Sequence, residues 1–201
     1  HYTFNESSAN DVSGCGNDGT NNGAETGQSG KFDQSWLFQE SNSDYVETNY
    51  AWSASEATFT TWAKFQSFDN GHALMGAYDG TNQFRMVVGS DTYGRNVTWK
   101  TYDGSNHGFQ LTGEGVPDFQ TGNWYFFAGT FNGTHYELYI DDSNNDGDTL
   151  DKVGAVKDST FALPTNSLWI GAEHRSGGAD TPSDAYIDEP RFFNTALNQD
   201  T

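Results

Sequence analysis

Short apolar segments separated by polar turns run along the whole chain. Within each segment roughly every second residue is apolar, which is the period of a strand with one buried face. Spacing typical of a helix does not extend beyond about two turns anywhere. The pattern predicts strands at residues 2–4, 35–38, 45–47, 57–65, 73–78, 83–88, 97–102, 124–131, 136–140, 167–171 and 185–193.

Dipeptides that join Asp or Asn to Gly separate several of these segments. Such pairs tolerate the positive φ angles that tight hairpin turns need. One of them lies between segments 124–131 and 136–140, which predicts a hairpin there and antiparallel pairing in general. The pairs are Asp79-Gly80, Asp103-Gly104, Asn132-Gly133 and Asp146-Gly147.

The segment from Asn5 to Gly30 differs from the rest of the chain. It contains almost no large apolar residue, although it lies between two predicted strands. Irregular segments of this length in a compact domain are usually functional or held by an ion. We therefore expect an anchor for this segment.

Composition agrees with one aromatic-rich β-sandwich. Only 34% of residues are hydrophobic but 15% are aromatic, so a few large rings must form most of the core. The 23 glycines against 4 prolines suit a fold with many tight turns. A chain of 201 residues can form one sandwich, and we expect a single domain spanning residues 1–201.

The chain is strongly acidic, with 28 Asp and Glu against 9 Lys and Arg and a net charge of −19. Nucleic acid is not an expected partner, because its phosphates require basic patches. Acidic side chains spread along the whole sequence favour adaptation to high salt. Calcium binding and a simple solvated surface are the alternatives.

Cys15 is the only cysteine, so an internal disulfide is excluded, and its glycine neighbours favour a turn residue over a catalytic thiol. No segment approaches the roughly 20 apolar residues that insert into a membrane. The first residues alternate like a strand and not like a signal peptide, so we expect a mature chain or an excised domain of a larger protein. Possible glycosylation sequons begin at Asn5, Asn96 and Asn132.

Motifs in order along the chain resemble those of laminin G-like and concanavalin A-like lectin jelly rolls, and they run from one end to the other. The matching segments are YTFNE (2–6), DVSGCGNDGT (11–20), GKF (30–32), SWLF (35–38), DYV (44–46), FTTWAK (59–64), GNWYFFAGTF (122–131), YELYID (136–141), LWIGA (168–172) and YIDEPRFFNTAL (186–197). The resemblance implies an all-β, two-sheet antiparallel jelly-roll sandwich. Pro190 departs from it within the last strand, which predicts an edge position or a β-bulge.

The resemblance also implies a structural Ca²⁺ between the glycine-rich loop and the last strand, with Asp11, Asn17 and Asp188 as ligands. Calcium takes six to eight oxygens, and a carbonyl of Gly14 or Gly16 suits such a shell. Strand alternation places Asp188 with Tyr186 and Phe192, which predicts an inward carboxylate that a cation would neutralise. The alternative is that Asp188 accepts backbone N–H bonds, and Glu189 competes as a ligand if a bulge shifts the strand.

A second, weaker calcium candidate has oxygen ligands at the spacing of an EF-hand loop. The closing acid is missing, because Val153 occupies the twelfth position, so an acidic solvated turn is the favoured interpretation. The candidate ligands are Asp142, Asn144, Asp146 and Asp148.

Catalytic patterns known from jelly-roll enzymes are not found in the sequence. Retaining glycosidases need two carboxylates roughly 5 Å apart on one face, whereas Asp188 and Glu189 are adjacent and face opposite ways. Alginate-lyase-like members use an Arg/Glu-rich strand with a Gln-x-His strand, and neither is present. The histidines are scattered without metal spacing.

Aromatic residues flanked by Asn and Asp are candidates for stacking on sugar rings. The candidates are Tyr50, Trp52, Tyr93, Trp99, Tyr102 and His107. The alternative is a core position for Trp99 and Tyr102 and an exposed loop for the others. Trp36, Trp62, Trp124 and Trp169 are expected in the core.

These observations predict a non-catalytic, calcium-stabilised carbohydrate-binding or adhesion module, secreted or at the cell surface, whose partner is a glycan or a surface protein. The first alternative is a structural or protein-binding module of an adhesin or filament. The second is a polysaccharide-degrading jelly-roll enzyme.

Overall fold

A computed structural model describes residues 1–91, 94–112, 116–141, 151–175 and 178–198, with the backbone alone at 90, 91, 94, 95, 151 and 152. Its strands are β1 (Thr20–Asn22), β2 (Glu25–Ser29), β3 (Gln34–Phe38), β4 (Tyr45–Glu47), β5 (Ala57–Phe65), β6 (Gly71–Tyr78), β7 (Gln83–Asp91), β8 (Gly94–Tyr102), β9 (Asn106–Thr112), β10 (Trp124–Phe131), β11 (His135–Asp141), β12 (Asp151–Lys157), β13 (Trp169–Ile170), β14 (Glu173–Arg175), β15 (Gly178–Asp180) and β16 (Ala185–Phe193). A single 3₁₀ turn at Glu40–Asn42 is the only helical element among the described residues.

The strands form two sheets that pack as an antiparallel sandwich, as the sequence predicted. Sheet A has the order β1-β4-β13-β6-β7-β8-β9, with β14 beside β6 and β15 beside β14. Sheet B has the order β12-β11-β10-β5-β16-β3-β2. All strand pairs are antiparallel except the short contact between β14 and β6.

The core between the sheets consists mainly of aromatic rings. On β5 the inward residues Phe59, Ala63 and Phe65 are fully buried, as is Phe127 on β10. Trp99 of β8 crosses the core, where its Nε1–H donates to the carbonyl of Thr130 at 2.9 Å. Few but large rings therefore form the core of this chain of low apolar content.

The first residues are buried but do not form the predicted strand 2–4. Tyr2 and Phe4 are 1% and 2% exposed, and the Phe4 ring stacks on Trp36 at 4.4 Å. Phe4 has a φ of 55°, which breaks strand geometry. The N–H of Tyr2 donates to the carbonyl of Pro190 at 3.1 Å, so the start of the chain meets the last strand.

The polar segment from Asn5 to Gly30 is anchored by strand pairing. It contains β1, which pairs with β4, and β2, which pairs with β3. Both strands were missed in the sequence because they carry no large apolar residue.

Pro190 lies at a β-bulge and not at a sheet edge. The register between β16 and β5 shifts between Asp188 and Arg191, and β16 runs between β5 and β3. Pro190 thus falls where the ladder is interrupted, because it has no N–H to donate.

Candidate functional site

The outer face of sheet B carries a groove of about 270 Å³. Its floor is made of small residues on neighbouring strands, with Thr60 of β5 opposite Ala128 of β10 and Thr58 opposite Thr130. Bulkier side chains surround these four positions. Short side chains at the centre of the sheet thus create the depression, which we call the Trp62 groove.

Aromatic rings form one end of the Trp62 groove. Trp62 and Phe126 are direct cross-strand partners on the outer face, and their ring centroids lie 5.2 Å apart. Phe32, which is 53% exposed, meets Trp62 edge to face at 6.0 Å. Trp62 and Trp124 are half-buried on the outer face, so their predicted core positions are wrong.

Polar groups line the other sides of the groove. The Arg191 guanidinium lies 2.6 Å from the Glu189 carboxylate, and Asn198 and Tyr139 also line the site. Leu197 donates its N–H to the hydroxyl of Thr58 at 2.9 Å, which folds the C-terminal segment along the groove as a wall.

Two hydroxyl groups on the floor are free to bind a ligand. Within the described ranges, the hydroxyls of Thr60 and Thr130 have no hydrogen-bond partner in the protein, whereas that of Thr58 is used by the C-terminal segment. An aromatic wall above unpaired hydroxyls and a charged rim can stack on an apolar ring face and bind hydroxyl groups at its edge.

Asp188 faces the outer side of sheet B, not the core. It lies opposite Trp62 in the register of β16 and β5, and the loop at residues 30–32 covers it, so that it is 0% exposed. Its Oδ2 accepts the N–H of Phe32 at 2.9 Å, while its Oδ1 has no partner among the described residues. Burial, with a smaller contribution from the Glu189 charge, raises the pKa of Asp188 to about 6.

The predicted grouping of Asp188 with Phe192 is corrected by the bulge. Phe192 comes after the shift and packs inward on Phe59 at 5.1 Å, whereas Asp188 and Tyr186 come before it and face outward. The expected N–H bond from the loop is present on one carboxylate oxygen only.

Asp11 has both carboxylate oxygens occupied by N–H donors. Oδ1 accepts from the main-chain nitrogens of His1 and Ser13 at 3.1 and 3.0 Å. Oδ2 accepts from the main-chain and side-chain nitrogens of Asn17 at 3.0 and 3.3 Å. An oxygen held by these donors must release them before it ligates a cation.

The loop with Asp11 reaches the last strand through His1. The His1 ring nitrogen Nε2 lies 2.7 Å from Glu189, and the Asn17 carbonyl accepts the hydroxyl of Tyr2. Gly14 is exposed, with a φ of 82°. Of the expected ligands, the described arrangement leaves one carboxylate oxygen, Asp188 Oδ1, without a donor.

Two sets of predicted residues fall outside the described residues. They are the second calcium candidate, Asp142, Asn144, Asp146 and Asp148, and the aromatic residue Tyr93. Nothing in the structure bears on them.

The remaining predicted sugar-binding aromatics do not form one site. Trp52 and Trp99 are 3% and 0% exposed, so a sugar cannot reach their ring faces unless the sandwich opens. Tyr50 packs on Trp52, and its hydroxyl donates to Asn194.

His107 lies 3.0 Å from both Asp103 and Asp158, and these bonds raise its pKa against the opposing effect of burial. Tyr102 is half-buried on the outer face of sheet A.

The three sequons differ in accessibility. Asn132 is exposed at the predicted hairpin turn, although its Oδ1 accepts the N–H groups of Thr134 and His135. Asn96 is 7% exposed, and the Asn5 Oδ1 accepts the N–H of Gln34. The Asn132 turn is therefore the most accessible of the three. Cys15 is exposed in the glycine-rich loop.

The acidic groups at the groove do not form a catalytic pair. Of the described lining residues only Glu189 is acidic, and it is bonded to Arg191 and to His1. A retaining glycosidase needs two carboxylates on one face.

In the described part of the chain, no group of three acids, histidines or cysteines is placed to hold a metal. The described residues also include no helix that is long and apolar enough to span a bilayer.

Comparison with known proteins identifies the fold. The sequence profile of the concanavalin A-like lectin/glucanases superfamily matches residues 40–201. No curated protein sequence matches the chain.

Several solved structures share the architecture. Domain 4 of AbnA, an extracellular GH43 arabinanase from Geobacillus stearothermophilus solved with arabinotriose, aligns with a TM-score of 0.72 at 15% identity, covering 99% of this chain and 93% of that one. A CBM40 domain of the Ruminococcus gnavus IT-sialidase, bound to α2,3-sialyllactose, aligns at 0.56 and 12% identity, covering 74% and 80%. A Bacteroides ovatus protein described as a putative carbohydrate-binding protein aligns at 0.57 and 14%, covering 83% and 44%. At these identities the likeness establishes the fold alone.

Proposed function

This chain belongs to the concanavalin A-like lectin/glucanases superfamily, and we propose that it is a non-catalytic carbohydrate-binding module whose glycan lies in the Trp62 groove. The observation that carries the proposal is the combination of Trp62 and Phe126 with the unpaired hydroxyls of Thr60 and Thr130. Sugars present both an apolar ring face and hydroxyl groups, and this groove offers a partner for each.

Solved relatives support a glycan partner. The arabinanase domain and the sialidase module were each solved with an oligosaccharide. The two sugars differ, so the fold does not select one glycan, and specificity must come from residues such as Arg191 and Glu189 that line this chain's groove.

A binding role accounts for the groove better than catalysis. The carboxylate of Glu189 is held in a salt bridge, and no second described acid lines the groove to act with it. We infer that the glycan is held and not cleaved. An enzyme would release reducing ends or unsaturated sugar from a polysaccharide, which a reducing-sugar assay and ultraviolet absorbance would detect.

Calcium is the further component that we propose as a stabiliser. Its support is the buried and unpaired Oδ1 of Asp188 beside the loop at residues 30–32, with Glu189 close in sequence. A cation there would supply the charge compensation that the carboxylate lacks. The N–H groups around Asp11 would have to turn away before Asp11 joined the shell.

We also propose that the module works outside the cell, secreted or at the cell surface, as part of a larger protein. The extracellular arabinanase domain supports this setting. The acidic surface suits a salty medium, because a Debye length of roughly 3 Å at 1 M salt screens its self-repulsion.

The experiment is a glycan array followed by calorimetric titration of the glycans that bind. Trp62→Ala removes the indole ring from the aromatic end of the groove and should weaken binding at least tenfold. Trp124→Ala removes a half-buried indole from the same face but outside the groove, and should bind within twofold of the wild type. Equal affinities for the wild type and Trp62→Ala, or no binding to any glycan, would overturn the proposal.

A further inference from the structure

The outer face of sheet A, opposite the Trp62 groove, carries a row of charged residues on adjacent strands. Lys100 of β8 is the direct cross-strand partner of Arg85 of β7, and Arg85 is the partner of Gly76 of β6. Glu173 of β14 is the next residue of the row, opposite Gly76. The neighbours of Arg85 along β7, Phe84 and Met86, are fully buried in the core, so the row lies on the outer face.

Gly76 leaves room for the contact between Arg85 and Glu173. A Cβ at this position would lie 3.0 Å from the Glu173 side chain, so a larger residue would press Glu173 away from its present place. The Arg85 guanidinium approaches the buried Glu173 carboxylate at 3.4 Å across it. Gln83 also donates to this carboxylate, and the Arg175 guanidinium lies 3.5 Å from it.

The pairing of Arg85 with Lys100 is unfavourable in isolation. Like charges directly opposite on neighbouring strands repel. The chain has 28 acidic residues against 9 basic ones, yet the residue opposite Arg85 on β8 is Lys100. The Glu173 carboxylate offsets the charge of Arg85 but does not contact Lys100, so a cost remains at Lys100, and local conflicts of this kind mark functional sites.

The buried acid does not satisfy both cations. Within the described residues, no carboxylate oxygen lies within 4 Å of the Lys100 ammonium, although Lys100 is half-buried. The Nε of Arg85 is buried and has no hydrogen-bond partner in the same part of the chain. Burial and the charge of Arg85 lower the pKa of Lys100, against the opposing charge of Glu173. The pair thus shares one buried carboxylate, which contacts Arg85, and Lys100 has no contacting anion among the described residues.

We propose that Arg85 and Lys100 form a second binding site, which takes the carboxylate or sulfate group of an acidic saccharide. An oxyanion between the two side chains would remove their repulsion and provide an acceptor for the unpaired Arg85 Nε. Tyr102, two residues from Lys100 on the same face, offers a ring beside the site. This site lies on the other sheet from the Trp62 groove and does not depend on it.

The ligand must be recognised locally, because a chain with a net charge of −19 repels polyanions at a distance. Salt screens this repulsion with a Debye length of about 8 Å at 0.15 M, while a half-buried contact is screened much less. Binding of an acidic saccharide should therefore persist at moderate salt, unlike binding to a simple basic surface.

The test compares Lys100→Gln with Lys157→Gln, which removes an exposed cation from β12 of sheet B. The probes are an oligogalacturonate, a sulfated galactan fragment and a neutral galactan fragment of equal length, titrated at fixed calcium. We expect one or both anionic probes to bind the wild type more tightly than the neutral one, and the tighter probe identifies carboxylate or sulfate as the source. Lys100→Gln should weaken that binding at least tenfold, Lys157→Gln should change it less than twofold, and Lys100→Arg should retain it.

Melting temperature separates a binding role from a structural one. Removal of a repelled, half-buried ammonium should leave the Tm of Lys100→Gln unchanged or higher. Anionic probes that bind no better than the neutral one, or that bind Lys100→Gln as well as the wild type, would overturn the proposal. Trp62→Ala should keep the anionic binding, so that failure of the groove and failure of this site give different results.

Discussion

Asp188 lies directly opposite Trp62 on the outer face of sheet B, beneath Lys31 and Phe32. The Lys31 ammonium is 4.3 Å from the centre of the Trp62 ring, and Phe32 donates its N–H to Asp188. The loop at residues 30–32 therefore has two tasks, since it buries a carboxylate and supplies the exposed ring at the end of the groove. Through this loop the acid and the groove share one structural support.

The burial of Asp188 predicts a pH-dependent stability. Its pKa is about 6 in the folded chain against an ordinary value of 3.8, so the folded state holds the proton more tightly. Protonated Asp188 contributes at most about 3 kcal/mol to the free energy of unfolding. This contribution is fully present below about pH 4 and is lost as the pH rises through 6. Asp188→Asn, unfolded by urea in EDTA, should remove this slope and be more stable than the wild type at pH 7.5.

The control for this experiment is Asp69→Asn, which neutralises an exposed aspartate. It should keep the slope of the wild type between pH 4 and pH 6. A wild-type chain and an Asp188→Asn variant with parallel stability curves would contradict the assigned role of Asp188.

Calcium should reverse the effect of Asp188→Asn on stability, so that the wild type becomes the more stable protein. If the unpaired Oδ1 ligates calcium, the metal binds the folded state and raises the Tm by mass action. Addition of EDTA should then lower the Tm of the wild type by several degrees and leave that of Asp188→Asn unchanged. Identical Tm values for the wild type with calcium and with EDTA would exclude calcium as a stabiliser of the fold.

The hydroxyl of Thr60 should contribute to glycan affinity and not to folding. It has no described partner in the protein, so Thr60→Val should weaken binding of an identified glycan by about 0.5–1.5 kcal/mol while the Tm stays within a few degrees. Thr98→Val is the matched control, since Thr98 is a buried threonine on the outer face of sheet A. Equal losses of affinity in both variants would indicate a general effect of the substitution.

Two-residue periodicity identified the strands that form the sandwich but not all of their faces. Strands β5, β10 and β16 were predicted with the bounds that the structure shows, because each inward row is strongly apolar. Strands such as β2 and β9 were missed, since their residues are mostly polar and only partly buried. Periodicity detects a buried face, and these strands have only a weak one.

The candidate site was less predictable than the fold for two physical reasons. Trp62 is apolar and aromatic like the core residue Phe59, and only its odd spacing from Phe59 and Phe65 showed that it faces the other side. The bulge at Glu189 and Pro190 shifts the alternation, so Asp188 was placed on the wrong face. The spacing within β5 indicates the outward position of Trp62. Pro190 indicates a bulge, but the face on which Asp188 then lies depends on how β16 pairs with β5.

The indole N–H signals of the tryptophans, observed during a glycan titration, report whether the glycan lies in the Trp62 groove. The chain has 6 tryptophans, and Trp36, Trp52 and Trp99 are buried in the core. With a glycan identified on the array, the nuclear magnetic resonance spectrum should show the Trp62 signal moving with ligand concentration while those three stay in place. A Trp62 signal that is unchanged at saturating glycan would contradict the assignment of the glycan to the Trp62 groove.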